Sequence, residues 1–366
     1  MKRIAAILII VIIVLGIAFG MEQYINANSN LLHESTLFKA KSFITNATVL
    51  GDKIAIGTYD GNIYVIGIDG KMQWKAKIGT NIFGIEKDDN GDILVCSVYF
   101  YMFDKNGKKL FEKGYKNFLG VKGKFLNSGN IDLLYQSLDD FSYLVVTVDK
   151  KGNTLSKVSI PDLGESASIS ITDDGKILFV GSRGEIYLLG KDGGIEETLK
   201  INNKSGDLHN VFGYIFPNGN IVYGYTLSTA EIPNVPVVFY TDKGEKTVTL
   251  HSNINRITKT NVSINFATNE EFLTFSPDGT LLKRETKYGF VPMEFTCNKN
   301  AEALLYMRKL ENKDKNAIYN IILKDNNKKT MKFIFSSEVP PVIKMDSESN
   351  IIFLIEKNSV NILYKK

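Results

Sequence analysis

The residue types that most often carry out catalysis are scarce in this chain. It has three histidines, His33, His209 and His251, and two cysteines, Cys96 and Cys297. No histidine has partners at the spacing of a metal site, and the nucleophile elbow, the phosphate-binding loop and the CxxC pair are all missing from the sequence. The cysteines are predicted to be small buried hydrophobic residues. The sequence therefore predicts no catalytic residue, no metal site and no cofactor.

Two acidic stretches are the remaining candidates for chemistry. The stretch from Asp88 to Asp92 begins like a calcium-binding loop, but its twelfth position is Tyr99 rather than glutamate, and it falls where a hairpin turn belongs. Asp139 and Asp140 could be paired carboxylates for glycoside chemistry. Adjacent residues on a loop more often point apart into water, so we expect no such pair here.

The elements that would position these residues come from a repeated unit. Copies of an apolar strand, an aspartyl or asparaginyl glycine turn and a second apolar strand begin at Lys87, Phe125, Ile171 and Ile215, in the segments KDDNGDILV, FLNSGNIDLL, ITDDGKILFV and IFPNGNIVYG. A second pair of strands follows each copy. Asp-Gly and Asn-Gly supply the positive φ of tight strand reversals. Four short strands at a period of roughly 36 to 51 residues are typical of β-propeller blades.

The strand count predicts eight blades. The fourth strands begin near Met72, Lys109, Leu155, Ile195, Lys246, Leu281 and Met331. The last unit shows only three strands, whereas the segment TLFKAK, residues 36–41, resembles a fourth strand at the front of the chain. We expect this strand to complete the last blade and to remove an exposed sheet edge. The fold class is then all-β: an eight-bladed β-propeller of four-stranded antiparallel blades over residues 36–366, or a seven-bladed one if an irregular unit is misread.

The N-terminus carries an apolar run from Ile4 to Phe19, which includes Ile10 and Leu15 and follows two basic residues. At 1.5 Å per residue this run spans roughly 24 Å, enough for a transmembrane helix with flanking residues that reach the interface. The basic residues are expected to stay in the cytoplasm, which places the rest outside. Residues 1–20 are thus predicted to be a membrane anchor or a cleaved signal segment, and residues 21–35 a linker. Both readings make the propeller extracytoplasmic.

One repeat carries a family resemblance. The segment GTYDGNIYVIGIDGKMQWKAKIG, residues 57–79, resembles the repeat of the quinoprotein-like (PQQ-like) propellers, in which strand, glycine, aspartyl turn and tryptophan recur. That superfamily includes quinone-dependent alcohol dehydrogenases and non-enzymatic scaffolds, such as the propeller lipoprotein of the outer-membrane assembly machine. The chain also resembles membrane-anchored propellers of unassigned function in Gram-positive bacteria. Trp74 is the only tryptophan, so the docking tryptophans of the dehydrogenases are missing, as is their adjacent cysteine pair. WD40 repeats are a weaker match because no Trp-Asp pair occurs.

Loop lengths indicate where a partner would bind. The turns between first and second strands and between third and fourth strands are tight, whereas the long loops fall on the opposite face of the propeller. The predicted interaction loop lies there and consists of Glu231, Ile232, Pro233, Asn234 and Val235, because exposed Ile232, Pro233 and Val235 would be wasteful without a contact.

The sequence favours a binding function over a catalytic one. A net charge of +4 without a basic block excludes a typical nucleic-acid binder. We therefore predict a membrane-tethered, extracytoplasmic scaffold that binds a protein or ligand of the cell envelope. Two alternatives stay open: a hydrolase or lyase with a carboxylate-based site at the propeller channel, and a redox protein that binds a cofactor.

Overall fold

The computed structural model describes residues 33–164, 167–201, 208–226, 234–297, 300–308, 317–325, 330–345 and 351–364. Over these residues the chain forms 32 strands, arranged in eight four-stranded antiparallel sheets. Each sheet is one blade of a propeller. The predicted eight-bladed fold is confirmed, and the seven-bladed alternative is wrong.

Blades 1 to 4 each use four consecutive strands. Blade 1 contains β2 (Ile44–Val49), β3 (Lys53–Thr58), β4 (Asn62–Gly67) and β5 (Met72–Lys77). Blade 2 contains β6 (Gly84–Lys87), β7 (Ile93–Cys96), β8 (Phe100–Phe103) and β9 (Lys109–Lys113). Blade 3 contains β10 (Phe118–Phe125), β11 (Ile131–Ser137), β12 (Tyr143–Val148) and β13 (Thr154–Ile160). Blade 4 contains β14 (Ala167–Ile171), β15 (Ile177–Gly181), β16 (Glu185–Leu189) and β17 (Ile195–Lys200).

The second half of the ring repeats this order up to the last blade. Blade 5 contains β18 (His209–Ile215), β19 (Ile221–Thr226), β20 (Val235–Thr241) and β21 (Gly244–Leu250). Blade 6 contains β22 (Ile254–Lys259), β23 (Ile264–Thr268), β24 (Glu271–Phe275) and β25 (Leu281–Thr286). Blade 7 contains β26 (Phe290–Cys297), β27 (Ala301–Arg308), β28 (Ala317–Asp325) and β29 (Thr330–Ser337). Blade 8 contains β30 (Val342–Met345), β31 (Ile352–Ile355), β32 (Ser359–Tyr364) and, from the front of the chain, β1 (His33–Lys39).

The ring closes through β1. This strand pairs antiparallel with β32, from His33 opposite Tyr364 to Lys39 opposite Ser359. The sequence predicted a closing strand over residues 36–41. The observed strand begins three residues before that, at His33, which therefore belongs to the propeller rather than to the preceding linker. Because β1 supplies the outermost strand of blade 8, the two ends of the propeller are held together in one sheet.

The hydrophobic core lies between neighbouring blades. The middle strands of a blade are covered on both faces and are buried along their length, as in Ile93–Cys96 and Ile352–Ile355. The outermost strands alternate between exposed and less exposed positions, as in Met72–Lys77 and Leu281–Thr286. A strand covered on both faces requires a continuous apolar run, and a strand with one solvent-facing side permits alternation. The two sequence patterns therefore mark the position of each strand within its blade.

Adjacent blades also dock at their outer edges. Trp74 on β5 packs on the β8–β9 turn of blade 2, where its Nε1 donates a hydrogen bond to the Lys105 carbonyl oxygen (3.1 Å). A Cβ atom at Gly107 in that turn would lie 2.7 Å from the indole, and Gly107 has a φ of 85°, so both space and backbone require glycine. Phe111 packs in the same way on Gly152 of blade 3. Other apolar residues thus occupy docking positions equivalent to that of Trp74.

Candidate functional site

The two faces of the disc carry different connections. Turns between the first and second strands and between the third and fourth strands lie on one face, which we call the turn face. Turns between the second and third strands, and the links between blades, lie on the other, which we call the loop face. Rigid scaffolds present binding residues on their loops. The loop face is therefore the first surface to consider.

The predicted interaction loop lies on the loop face of blade 5, and the structure describes its end. Glu231, Ile232 and Pro233 lie outside the described residues. Asn234 is exposed, and its Oδ1 atom lies 2.7 Å from Nδ1 of His251. Val235 begins β20, pairs with Leu250 and is fully buried. The expectation that Val235 is exposed was wrong, because β20 starts at this residue, where the loop was expected to end. The interaction role of this loop stays a prediction.

The anchor residues Ile4, Ile10, Leu15 and Phe19 lie outside the described residues as well. Among the residues that are described, no helix is both long enough and apolar enough to cross a membrane.

Seven large apolar side chains are exposed on the loop face around blades 1 to 3. We call this set the apolar patch: Phe43, Tyr59, Phe83, Val98, Tyr99, Leu138 and Phe141, which are 37% to 65% exposed. Together they present on the order of 500 Å² of apolar surface, taking about half of each side chain. Patches of this size on a soluble domain are often functional, whereas single exposed apolar residues need no explanation. The patch is therefore a candidate protein-binding surface.

Backbone contacts hold the apolar patch in place. The Tyr59 amide donates to the Phe43 carbonyl oxygen (2.9 Å), and the Gly120 amide donates to the Val98 carbonyl oxygen (3.1 Å). The Tyr99 ring covers the backbone of Gly114, where a Cβ atom would lie only 2.0 Å from the ring. These side chains consequently project from fixed turns and links rather than from free loops.

Phe141 is held in an unfavourable backbone conformation. Its φ is 56°, a left-handed value that is rare for a bulky aromatic residue. The surrounding turn is held by Asp140, whose Oδ1 atom accepts hydrogen bonds from the amide (3.1 Å) and hydroxyl (2.7 Å) of Ser142. Hydrogen bonds from Ser137 and Ser142 also lower the pKa of Asp140. Strain of this kind persists where the surrounding structure enforces it, and it concentrates at functional sites.

Asp139 and Asp140 do not form a paired carboxylate site. Asp139 accepts a hydrogen bond from Asn117 Nδ2 (3.0 Å), whereas Asp140 turns toward Ser142. The expectation that the two side chains point apart is confirmed.

The second candidate site is the central channel. The first strands of the blades contact one another from blade to blade and therefore surround the propeller axis. Two cavities open into this space, with volumes of about 860 Å³ and 580 Å³. Arg256 and Lys344 line both cavities, so the two form adjoining parts of one channel. Asn253 and Thr260, at opposite ends of β22, both line the larger cavity, which thus extends along most of that strand.

Charged side chains from several blades meet in the channel and at its turn-face mouth. Among the described residues, the basic ones are Lys122, Lys124, Arg256, Lys259 and Lys344, and the acidic ones are Glu86, Asp173 and Glu294. Lys124 pairs with Asp173 (3.0 Å), and Arg256 pairs with Glu294 (3.5 Å). Burial raises the pKa of Glu86 and lowers the pKa of Lys122 and of Lys259. The channel is therefore a partly desolvated, predominantly basic space.

The channel carboxylates bear on the predicted hydrolase or lyase alternative. Glu294 is held by Arg256 and accepts a hydrogen bond from the Ile343 amide (2.9 Å). Glu86 has no basic group within 4 Å among the described residues, and burial raises its pKa. A carboxyl group with a raised pKa suits general acid catalysis. Burial also raises the pKa of Glu294. The hydrolase or lyase alternative stays a prediction.

The other residues singled out in the sequence have structural roles. Asp88 accepts hydrogen bonds from the amides of Asn90 and Asp92 (both 2.9 Å) within the tight turn between β6 and β7, and Lys150 Nζ lies 2.7 Å from its other oxygen. The ammonium group of Lys150 thus lies where a calcium ion bound to Asp88 would lie. Over the described ranges, no three histidine, cysteine or acidic side chains are grouped as metal ligands would be.

The two cysteines differ in environment. Cys96 is buried between blades 2 and 3, where burial raises the pKa of its thiol to about 12, as expected for a small hydrophobic residue. Cys297 is exposed, so the prediction of burial was wrong for this residue, which ends β26 beside the turn face. Its pKa is also raised by partial desolvation. Neither thiol has the lowered pKa of a reactive cysteine.

Comparison with known proteins supports the fold alone. No known protein family matches the chain, and no curated protein matches it in sequence. Solved structures do match: the computationally designed Ika8 protein (TM-score 0.65, 11% identity, covering 90% of this chain and 98% of that one) and BamB from Moraxella catarrhalis (0.60, 11%, 92% and 100%). The C-terminal WD40 domain of Sif2 is similar as well (0.64, 12%, 92% and 99%). The chain therefore has a β-propeller fold like those of BamB and of WD40 domains.

The sequence did not identify the apolar patch or the channel charges. The patch residues occur one or two at a time in short turns of different blades, and only the closed ring brings them to one face. A signal does exist: Tyr59, Tyr99 and Phe141 sit in second-to-third-strand turns, where polar residues are usual. The channel lysines lie on first strands, whose facing depends on a register that sequence does not determine to within one residue.

Proposed function

We propose that this protein is a membrane-tethered, extracytoplasmic scaffold that binds a protein partner of the cell envelope through the apolar patch. The observation that carries the proposal is the concentration of exposed aromatic and aliphatic side chains on the loop face of three consecutive blades. An exposed patch of this kind is unfavourable in water unless something covers it.

The composition of the patch suits a protein rather than a small ligand. Aromatic residues are enriched at protein interfaces because they bury much surface at little cost in side-chain entropy. Three phenylalanines and two tyrosines contribute to the patch. Its apolar area of roughly 500 Å² would supply somewhat over half of the roughly 800 Å² that one partner buries in a standard interface. The main-chain contacts described above fix the backbone that carries these side chains before binding, which reduces the entropic cost of association.

The membrane address rests on the N-terminal sequence. The apolar run from Ile4 to Phe19 follows Lys2 and Arg3, an order that favours a cytoplasmic N-terminus. In the proposed arrangement β1 follows the anchor after a short linker, so the tether enters the propeller at blade 8. Because His33, where β1 begins, lies opposite Tyr364 at the turn-face end of blade 8, the loop face would point away from the membrane and toward other components of the envelope.

The proposal is tested by recovering the full-length protein from its native membranes in a mild detergent, together with two variants. With the wild type, we expect a partner to co-purify in stoichiometric amount. The double variant Tyr59→Ser, Phe83→Ser should recover at least about tenfold less of it, because central aromatic residues dominate interface energetics. The variant Val262→Ser is the matched control, since Val262 is 72% exposed but lies on the turn face. Equal partner recovery in all three samples would contradict the proposal, as would a protein absent from the membrane fraction.

A further inference from the structure

Over the described residues, the central channel contains more basic groups than acidic groups that could neutralise them. Two ion pairs, Lys124 with Asp173 and Arg256 with Glu294, account for two of its five cations. Among the described residues, the other three have no carboxylate within 4 Å; these are Lys122, Lys259 and Lys344. Among the described residues, Glu86 is the one further acidic group that interacts with Lys122 and Lys344, and burial raises its pKa.

Two of these lysines, which are partly buried, donate hydrogen bonds to neutral groups. Lys122 Nζ donates to the Ile169 carbonyl oxygen (2.6 Å), which belongs to the next blade. Lys259 Nζ donates to the Ile215 carbonyl oxygen (2.7 Å), also across a blade boundary. Each carbonyl satisfies one of the three donors on an ammonium group and supplies no negative charge. Removing an ammonium group from water without a counter-charge is costly, and here burial lowers the pKa of both lysines.

These cations belong to one electrostatic site although they come from different blades. Lys259 on blade 6 is attracted by Asp173 on blade 4 and repelled across the channel by Lys122 and Lys124 on blade 3. The positive charges of Lys122 on blade 3 and Lys344 on blade 8 attract the carboxylate of Glu86 on blade 2. A single anion near the axis would therefore interact favourably with several of these groups at once.

The size of the space fits a small molecule. The larger cavity, of about 860 Å³, lies within the usual range for ligand pockets. Its lining includes the basic residues Arg256, Lys259 and Lys344, the hydroxyl-bearing residues Thr258 and Tyr214, and one carboxylate, Glu294, which pairs with Arg256. Guanidinium, ammonium and hydroxyl donors are the groups that recognise carboxylate and phosphate oxygens.

We propose that the channel is a binding site for a small multivalent oxyanion, either a di- or tricarboxylate or a phosphate compound, held by Arg256, Lys259 and Lys344. The ligand offsets the repulsion among the channel lysines and satisfies ammonium donors that the protein leaves open. The channel is separate from the apolar patch, so we expect anion binding in the channel to be independent of protein binding at the patch.

The test is isothermal titration of the full-length protein in a nonionic detergent with citrate and with pyrophosphate, against chloride at matched ionic strength. Saturable binding of either anion is expected, and a preference for citrate or for pyrophosphate assigns the carboxylate or the phosphate class. The variants Lys344→Gln and Lys259→Gln should each weaken binding by about tenfold or more, as expected for the loss of a charge-assisted hydrogen bond.

Two controls make the result decisive. Lys71→Gln removes an exposed lysine on the turn face, paired only with Asp69, and should bind the anion like the wild type. The double variant Tyr59→Ser, Phe83→Ser should also keep full anion binding, whatever it does to a protein partner. Thermal unfolding verifies that each variant is folded. No saturable heat for either anion, or binding that is undiminished in both channel variants, overturns the proposal.

Discussion

At the scale of single residues, Phe141 of the apolar patch is expected to favour partner binding while it reduces the stability of the fold. Phe141 is 39% exposed, has a φ of 56° and lies in a turn fixed by Asp140 and Ser142. Asparagine tolerates the left-handed region much better than phenylalanine, and Asn117 already occupies it nearby with a φ of 63°. Under the proposed function, contact with a partner would account for a phenylalanine at this strained, exposed position.

This account predicts opposite effects for one substitution. Phe141→Asn should increase the free energy of unfolding by about 1 kcal/mol through relief of backbone strain, and should reduce partner recovery. Chemical denaturation measures the first effect and detergent co-purification the second. Phe83→Asn, at a position without a positive φ, should reduce partner recovery without stabilising the protein. A Phe141→Asn protein that is less stable than the wild type would refute the strain argument.

At the scale of elements, blades are joined by side chains as well as by core packing. Lys283 and Glu285 on β25 of blade 6 meet Glu302 and Lys324 of blade 7 in an ionic cluster. Lys324 Nζ lies 2.5 Å and Lys283 Nζ 3.0 Å from the same oxygen of Glu285. Burial alone would raise the pKa of Glu285, but the hydrogen bonds from Lys324 and Lys283 outweigh it and lower that pKa.

The cluster predicts a pH-dependent contribution to stability. A carboxylate whose pKa is lower in the folded state stabilises the protein above its unfolded pKa, near 4.3, and the contribution disappears as pH falls through the folded value. Glu285→Gln should therefore cost about 1 kcal/mol at pH 7, with a wild-type advantage that shrinks as the pH is lowered from about 5 toward 3.

Thermal unfolding over this pH range measures the effect. Glu196→Gln is the matched control, because Glu196 forms a more exposed pair with Lys176 within blade 4 and should contribute less than about 0.5 kcal/mol. If the Glu285→Gln protein were as much less stable than the wild type at pH 3 as at pH 7, the stabilising role of the Glu285 carboxylate would be contradicted.

At the scale of the whole molecule, the sequence was informative about architecture because the fold is repetitive. Turns at Gly91, Gly129, Gly175 and Gly219 mark first-to-second-strand hairpins, and the apolar runs beside them mark buried middle strands. Even the closing strand was predicted, since it resembles the other outermost strands. The register of that strand and its start at His33 were not, because three further ladder pairs with β32 leave no distinctive pattern in the sequence.

The binding surfaces were much less predictable than the fold. The sequence indicated the loop face correctly as the face with long connections, but it directed attention to one loop on blade 5, whose Val235 proved to be buried. The apolar patch is assembled from isolated residues that lie far apart in the chain, so no local window contains it. The charged channel residues likewise come from strands of different blades, so no local window contains them either. Both sites are properties of the closed ring rather than of any single repeat.

The most direct test of the central claim, that the loop face binds a protein, is position-resolved photo-crosslinking in living cells that make the full chain. A photoreactive phenylalanine analogue would replace Tyr59, Phe83 or Leu138 on the loop face, and Ile68 or Val262 on the turn face. The account predicts that one and the same partner is captured at the three loop-face positions and at neither turn-face position. Capture at the turn-face positions, or at no loop-face position, would contradict it.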